Sequence, residues 1–281
     1  MKRLAALLVV LLGLLGLAAD LITETIAVKG SNTFGEEFAP NLITAYRKLH
    51  PDIMVSLESK GTASGFVALL AGECDIASAS RPVNEDELRL AQSRGITMDD
   101  FIIGYYGVAL RVNETNSVRA LTDTQVRDIF TGSIRNWKEL GGTDAPIHLY
   151  IREAASGTHL GFQELAMAGR PYATDAKQLK SYAEIADAVG ADPLGVGYVG
   201  MNMISRAKVL AVSINRILPT AVSVNDGSYP YARQLRLYVN HGKVSPAAKE
   251  FIRFVQSNVG QRLLDQIGFV RRLETRVWPP Q

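Results

Sequence analysis

Three Gly/Ser/Thr-rich turns, each at a junction between a strand pattern and a helix pattern, place the strongest constraint on the fold of this chain. They are Gly30-Ser31-Asn32-Thr33, Gly61-Thr62-Ala63-Ser64-Gly65 and Ser156-Gly157-Thr158. Apolar or alternating runs at 25–28, 53–57 and 147–151 precede them, and helix-like spacing follows. This order predicts an α/β fold with a parallel sheet, helices on its faces and ligand sites at the carboxyl ends of its strands.

The same turns carry groups that bind oxyanions. A helix N-terminus presents backbone N–H groups at its positive end, and Ser and Thr add hydroxyls. Arg152, four residues before the third turn, offers a planar fork of donors that stays charged. A fourth strand-like run, 75–79, ends in Ser80 and Arg81, another candidate ligand position. Each turn alone is typical of an ordinary helix N-cap, and each arginine of a structural salt bridge, but together they favour convergence on one anion.

Two apolar segments predict a division into two lobes. Segment 101–112, at about 3.3 Å per residue, is longer than one ordinary strand and would cross between lobes. A second strand at 235–239 would return across the same hinge. We therefore expect one discontinuous lobe from residues 20–106 and 235–281, and a second lobe from residues 107–234.

The N-terminus predicts export. Lys2 and Arg3 precede an unbroken apolar run, 4–19, that ends in a small-residue cleavage pattern typical of a secretory signal peptide. A membrane anchor is the alternative, but the run is shorter than the ~20 residues of a spanning helix. We expect residues 1–19 to be removed and the remaining protein to be periplasmic.

Composition and spacing exclude several other classes of protein. Lys2 and Arg3 account for the formal net charge of +2, so the chain without them is balanced and lacks the basic surface of a nucleic-acid-binding protein. Cys74 is the only cysteine, and the four histidines lack metal-site spacing. Ser156 lacks a nucleophile-elbow motif. The sequence therefore predicts neither an enzyme nor a metal site.

Several longer motifs extend these observations. They are Gly30-Ser31-Asn32-Thr33-Phe34, Gly61-Thr62-Ala63-Ser64-Gly65, Asp75-Ile76-Ala77-Ser78-Ala79-Ser80-Arg81, Asp128-Ile129-Phe130-Thr131-Gly132, Asn136-Trp137, Arg152 with Ser156-Gly157-Thr158, and Tyr229-Pro230-Tyr231-Ala232-Arg233. Together they resemble the periplasmic phosphate-binding proteins that feed the ABC-type phosphate importer. The resemblance spans nearly the whole chain after residue 19.

The resemblance implies a two-lobed periplasmic-binding-protein fold of type II, in which each lobe is a sheet flanked by helices and two crossover strands form the hinge. It implies a monomer, without cofactor, metal or catalytic residue, that binds inorganic phosphate between its lobes. The bound ion would be delivered to the membrane permease subunits of an ABC transporter. The implied contact residues are Ser31, Thr33, Phe34, Thr62, Ser80, Arg81, Arg152, Ser156, Gly157 and Thr158.

Two positions depart from the best-known members. An aspartate that accepts a hydrogen bond from protonated phosphate is replaced at Ser80-Arg81, and an acidic residue two places after the second-lobe arginine is Ala154. Both changes imply a more cationic site, without the acceptor that helps to exclude sulfate. Sulfate, molybdate and tungstate are therefore alternative cargoes. A secreted phosphatase is the alternative enzyme, because the same donors could stabilise a phosphoryl transition state.

Overall fold

The computed structural model of the 281-residue chain describes residues 24–154, 156–201 and 208–272. The predicted signal peptide, residues 1–19, lies outside these ranges. Across the described ranges, no helix combines the length and apolarity needed to cross a membrane.

Strands and helices alternate along the first part of the chain, as the sequence predicts. The strands are β1 (Glu24–Gly30), β2 (Ile53–Ser59), β3 (Ile76–Ala79), β4 (Met98–Asn113), β5 (Ala120–Leu121), β6 (His148–Arg152), β7 (Lys177–Leu179), β8 (Gly195–Gly200), β9 (Val209–Ala211), β10 (Ser213–Ile214) and β11 (Ala232–Asn240). The helices are α1 (Ala39–Leu49), α2 (Thr62–Ala71), α3 (Glu85–Ser93), α4 (Asp123–Phe130), α5 (Gly157–Met167), α6 (Tyr182–Ala191), α7 (Ala221–Asn225), α8 (Pro246–Gln256) and α9 (Asn258–Gln266). A π-helical turn, Thr33–Phe38, leads directly into α1, and Trp137–Leu140 forms a 3-10 turn.

Nine of these strands form one mixed sheet, and β5 pairs with β10 in a separate two-stranded sheet. The strand order of the mixed sheet is β2-β1-β3-β11-β4-β8-β6-β7, and β9 pairs with β4. The pairs β1/β2, β1/β3, β6/β7 and β6/β8 are parallel, whereas β11 runs antiparallel to both β3 and β4. The carboxyl ends of β1 and β3 therefore lie side by side, and the α/β prediction is confirmed.

Strand β4 joins the two parts of the sheet. Its residues 98–107 pair with β11, and its residues 108–113 pair with β8 and β9. Leu110 and Val112 are fully buried, which explains why the segment reads as a continuous apolar run. The sequence predicted this segment and β11 as the two crossing strands.

The C-terminal end adds a third connection that the sequence did not predict. Tyr105 and Val270 exchange two backbone hydrogen bonds of 2.8 Å, and Met201 N donates to Gly268 O at 3.0 Å. The buried Phe269 ring packs edge-on against Tyr106, with ring centroids 5.4 Å apart. The segment after α9 therefore ties β4 to the chain just beyond β8.

Two helices begin earlier than their apolar spacing predicts. The sequence indicated helices over 36–49 and from residue 66, but the structure begins them at Thr33 and Thr62. Both begin directly after a Gly/Ser/Thr turn, where the first backbone N–H groups of a helix have no intrahelical acceptor. This places the N–H groups of two helix starts at the ends of β1 and β2.

Candidate functional site

Three of the predicted segments, 30–33, 61–65 and 75–81, meet at the carboxyl ends of β1 and β3. Ser31 N donates to Ser78 O at 2.9 Å, and Gly61 N donates to Gly30 O at 2.8 Å. Gly30 makes this contact possible, because its φ is +134° and a Cβ there would lie 2.1 Å from Ser78 O. Only glycine fits such a conformation and approach.

Thr62 joins the second segment to the third. Its Oγ1 accepts from Ser80 N at 3.1 Å and lies 3.3 Å from Ser80 Oγ. Two hydroxyls from residues 18 positions apart therefore form one polar edge at the start of α2. We call Ser31, Thr33, Phe34, Thr62, Ser80 and Arg81 the first seat.

Ser31 and Phe34 lie beneath this edge. The Ser31 hydroxyl is buried and accepts from Phe34 N at 3.3 Å, and the Phe34 ring is buried against Phe38. Ser31 thus closes the turn from below, and Thr33 is also buried.

A cavity of about 310 Å³ opens above the first seat. It is lined by Asn32, Thr33, Gly61, Thr62, Ala63, Ser80, Arg81, Leu160, Gly161, Glu164 and Arg233. The structure therefore brings Thr33, Thr62, Ser80 and Arg81 together around one space, and α5 with the start of β11 forms the opposite wall.

The guanidinium of Arg81 is already held by a carboxylate. Its Nη1 and Nη2 donate to the two oxygens of Glu87 at 2.8 and 2.7 Å. Burial raises the pKa of the Glu87 carboxyl, but hydrogen bonds from Arg81 and from Asn84 N outweigh it, so the pKa is lowered. The hydrogen bond to Glu87 raises the pKa of Arg81. Glu87 therefore offsets the charge of Arg81, a pairing that the expectation of a more cationic site did not include.

A second guanidinium lines the same cavity. Arg233, at the start of β11, donates from Nη1 to Glu164 of α5 at 2.7 Å. Sequence patterns did not predict Glu87, Glu164 or Arg233 as site residues. Arg233 belongs to the Tyr229–Arg233 motif, which was a usable signal, but nothing in the local pattern pairs it with a residue 69 positions away.

The remaining predicted residues form a separate group at the end of β6, which we call the second seat: Arg152, Ser156, Gly157 and Thr158. They are not among the residues that line the 310 Å³ cavity. The Arg152 guanidinium lies over the Tyr182 ring, 5.1 Å from its centroid. Its buried Nε has no hydrogen-bond partner among the described residues.

Helix α5 connects the second seat with the cavity. The Ser156 hydroxyl caps this helix by accepting from Thr158 N at 3.2 Å, and Gly157 is its first residue. One to two turns further on, Leu160, Gly161 and Glu164 line the cavity. The second seat is thus the N-terminal end of the helix that faces the first seat.

The side chains of Tyr198 and His159 fix the backbone of Arg152. Arg152 N donates to the Tyr198 hydroxyl at 3.2 Å, and the His159 ring nitrogen lies 2.8 Å from Arg152 O. Burial raises the pKa of Tyr198 to about 12, so this hydroxyl stays neutral. The arginine is therefore presented from a rigid strand end.

This arrangement offers several hydrogen-bond donors. The His159 ring bonds to Arg152 O rather than to Ser156, so it is not set up to activate that serine. Within the described part of the chain, no group of His, Cys, Asp or Glu could hold a metal ion. The geometry suits binding of an anion.

Comparisons with known proteins agree with this description. Residues 18–259 match the family model described as PBP superfamily domain. The phosphate-binding protein PstS of Staphylococcus saprophyticus is 30% identical over 258 residues, which cover 86% of this chain and 78% of that protein.

Two solved structures also match. An ABC-type phosphate transport receptor from Vibrio cholerae has a TM-score of 0.70 and 28% identity, over 87% of this chain and 99% of that one. A possible phosphate binding protein from Planctomyces limnophilus has a TM-score of 0.81 and 26% identity, over 88% of this chain and 93% of that one. These matches confirm the resemblance and the fold class. The chain belongs to the PBP superfamily, in the family of the phosphate-binding protein PstS.

Proposed function

We propose that this protein binds inorganic phosphate in the cleft above the first seat and delivers it to an ABC phosphate importer. The observation that carries this proposal is the convergence of Thr33, Thr62, Ser80 and Arg81 on one cavity at the carboxyl ends of parallel strands. Hydroxyls, helix-start N–H groups and guanidinium are the donors that suit a phosphate dianion. Relatives named for phosphate binding and phosphate transport support the choice of ion.

We infer that the two seats enclose the ion when two lobes close. One lobe comprises residues 20–106 and 235–281, and the other comprises residues 107–234. The first seat belongs to the former and the second seat to the latter, and β4 and β11 run between them. A micromolar site needs a net ~8 kcal/mol, and each hydrogen bond to a charged group contributes ~1.5–3 kcal/mol, so both seats together supply enough donors.

The proposal places the protein outside the cytoplasm. Residues 1–19 would act as a cleaved signal peptide, and the protein would reach the permease subunits of the transporter from the periplasmic side as a monomer. Its relatives are binding proteins of transporters rather than enzymes. A phosphatase would turn over a chromogenic phosphate ester and would lose that turnover in Ser156→Ala, whereas we expect neither result.

Calorimetric titration tests the function. We expect phosphate to bind with a dissociation constant near or below about 1 μM, which corresponds to the ~8 kcal/mol above. Competition with sulfate, molybdate and tungstate at pH 5 and pH 8 identifies the cargo. Dominance of sulfate at both pH values would overturn phosphate.

Arg152→Ala tests the second seat. We expect this variant to bind phosphate about 10- to 100-fold more weakly, because it loses a permanently charged donor. Arg135→Ala is the matched control, because Arg135 is exposed, pairs with Asp175 and lies outside the cavity. Wild-type affinity in Arg152→Ala would remove the second seat from the site.

A further inference from the structure

Arg233 is the guanidinium that shares the cavity with Arg81. Arg81 enters from the end of β3, and Arg233 enters from the start of β11 on the opposite wall. The side chain of Arg233 is 29% exposed. Arg152, the arginine that sequence motifs place in the site, does not line this cavity. In the conformation described, Arg233 therefore supplies the cation that faces the first seat.

The guanidinium of Arg233 retains donors for a ligand. Among the described residues its side chain makes one hydrogen bond, from Nη1 to Glu164 Oε2 at 2.7 Å. The Nε and Nη2 groups carry three further N–H donors. An arginine whose one edge is held by a carboxylate presents its other edge in a fixed direction.

A neighbouring cavity shows that Arg233 is reachable from both sides. This cavity of about 440 Å³ shares Ser80, Arg81 and Arg233 with the first one and continues toward Tyr105 and Val224. The two arginines therefore line two neighbouring spaces at once. A solvated anion can approach them from either space.

The ion pair could also have a purely structural role, in which Glu164 and Arg233 only fix α5 to β11. Glu164 is 61% exposed, and an ion pair with such an exposed partner contributes little to stability because water screens it. The same screening leaves the guanidinium available to a dianion, which attracts it more strongly than a single carboxylate does.

We propose that Arg233 contacts the bound anion directly and that Glu164 is a positioning residue, which holds the guanidinium toward the first seat. This inference rests on the proposed function and adds a third arginine to the site. Arg233 lies at the start of β11, one of the two strands proposed to cross between the lobes.

Substitution of Arg233 tests the contact. We expect Arg233→Gln to bind phosphate about 10- to 100-fold more weakly, because it loses a charged hydrogen bond. Arg233→Lys keeps the charge but loses the fork, and we expect an intermediate affinity. The matched control Arg135→Gln should bind like the wild type. Thermal unfolding of each variant, compared with the wild type, shows whether the fold is retained.

Glu164 variants separate positioning from charge. Glu164→Gln keeps an oxygen acceptor for Arg233 Nη1 and removes a negative charge beside the anion, so we expect equal or tighter binding. Glu164→Ala releases the guanidinium, so we expect weaker binding by about three- to tenfold. In the Arg233→Gln background, Glu164→Ala should have no further weakening effect. Equal weakening in both backgrounds would overturn the positioning role.

The outcomes distinguish this inference from the proposed function. If the wild type binds no phosphate, the proposed function fails. If the wild type binds phosphate and a folded Arg233→Gln variant binds it within about twofold of the wild type, the inference about Arg233 is overturned while the function stands.

Discussion

Thr62 and Ser80 form one hydrogen-bonded pair at the mouth of the cavity, with their hydroxyl oxygens 3.3 Å apart and Ser80 N donating to Thr62 Oγ1 at 3.1 Å. Thr62 begins α2, and Ser80 follows β3 directly. The pair therefore fixes a helix start against a strand end. The same two hydroxyls line the proposed phosphate site, so one contact serves both the fold and the ligand.

Thr62→Val should weaken both the stability of the fold and the binding of phosphate, because valine keeps the shape of threonine and removes its hydroxyl. We expect a loss of about 1–2 kcal/mol in the free energy of unfolding, since Ser80 N loses its acceptor, and about tenfold weaker phosphate binding. Urea unfolding and calorimetric titration measure the two effects. Thr44→Val is the control, because the Thr44 hydroxyl bonds to Pro40 O on an exposed face of α1. Unchanged affinity in Thr62→Val would remove this hydroxyl from the site.

Gly30→Ala should destabilise the protein strongly. The residue has a φ of +134°, and the added Cβ would lie 2.1 Å from Ser78 O. We expect a loss of about 3 kcal/mol or more in the free energy of unfolding, from backbone strain and this overlap together. Gly72→Ala separates the two causes, because Gly72 has a φ of +75° with no atom within 4 Å of an added Cβ. Gly72→Ala should lower the free energy of unfolding by about 1–2 kcal/mol. Equal losses would show that the contact with Ser78 is unimportant.

Local sequence patterns predicted the elements of the fold because each pattern reflects a local cause. Alternation and apolar runs located the strands, and the Gly/Ser/Thr turns located the ends of β1 and β2. Helix starts were misplaced, because apolar spacing begins only where a helix meets the core. Thr33 and Thr62 are the first residues of helical segments, but as polar residues they are not part of the apolar spacing.

The sequence could not predict how charged groups pair in the site. Arg81 was identified, but Glu87 was not, because its role follows from the path of the chain through Pro82 and Asn84 into α3. Glu164 meets Arg233 only through the packing of α5 beside β11. The third connection through Val270 likewise depends on how the C-terminal segment folds back onto β4.

Glu87 also makes stability depend on pH. Its carboxyl pKa is lowered from 4.5, because hydrogen bonds from Arg81 and Asn84 N outweigh the effect of burial. A group with a lowered folded-state pKa stabilises the protein above its unfolded-state pKa, and this stability is lost as the pH falls through the folded-state value. The contribution of Glu87 should therefore be complete at neutral pH and begin to decline as the pH falls below about 4.5, the unfolded-state value.

Glu87→Gln isolates this contribution, because glutamine still accepts the hydrogen bond from Asn84 N that caps α3. We expect the variant to be less stable than the wild type at pH 7, with a difference that shrinks as the pH falls from about 4.5 toward 3. Urea unfolding at several pH values measures it. Glu85→Gln is the control in the same helical turn, because Glu85 is 89% exposed and pairs only weakly with Arg89. A difference between wild type and Glu87→Gln that stayed constant across this pH range would contradict the ion pair with Arg81.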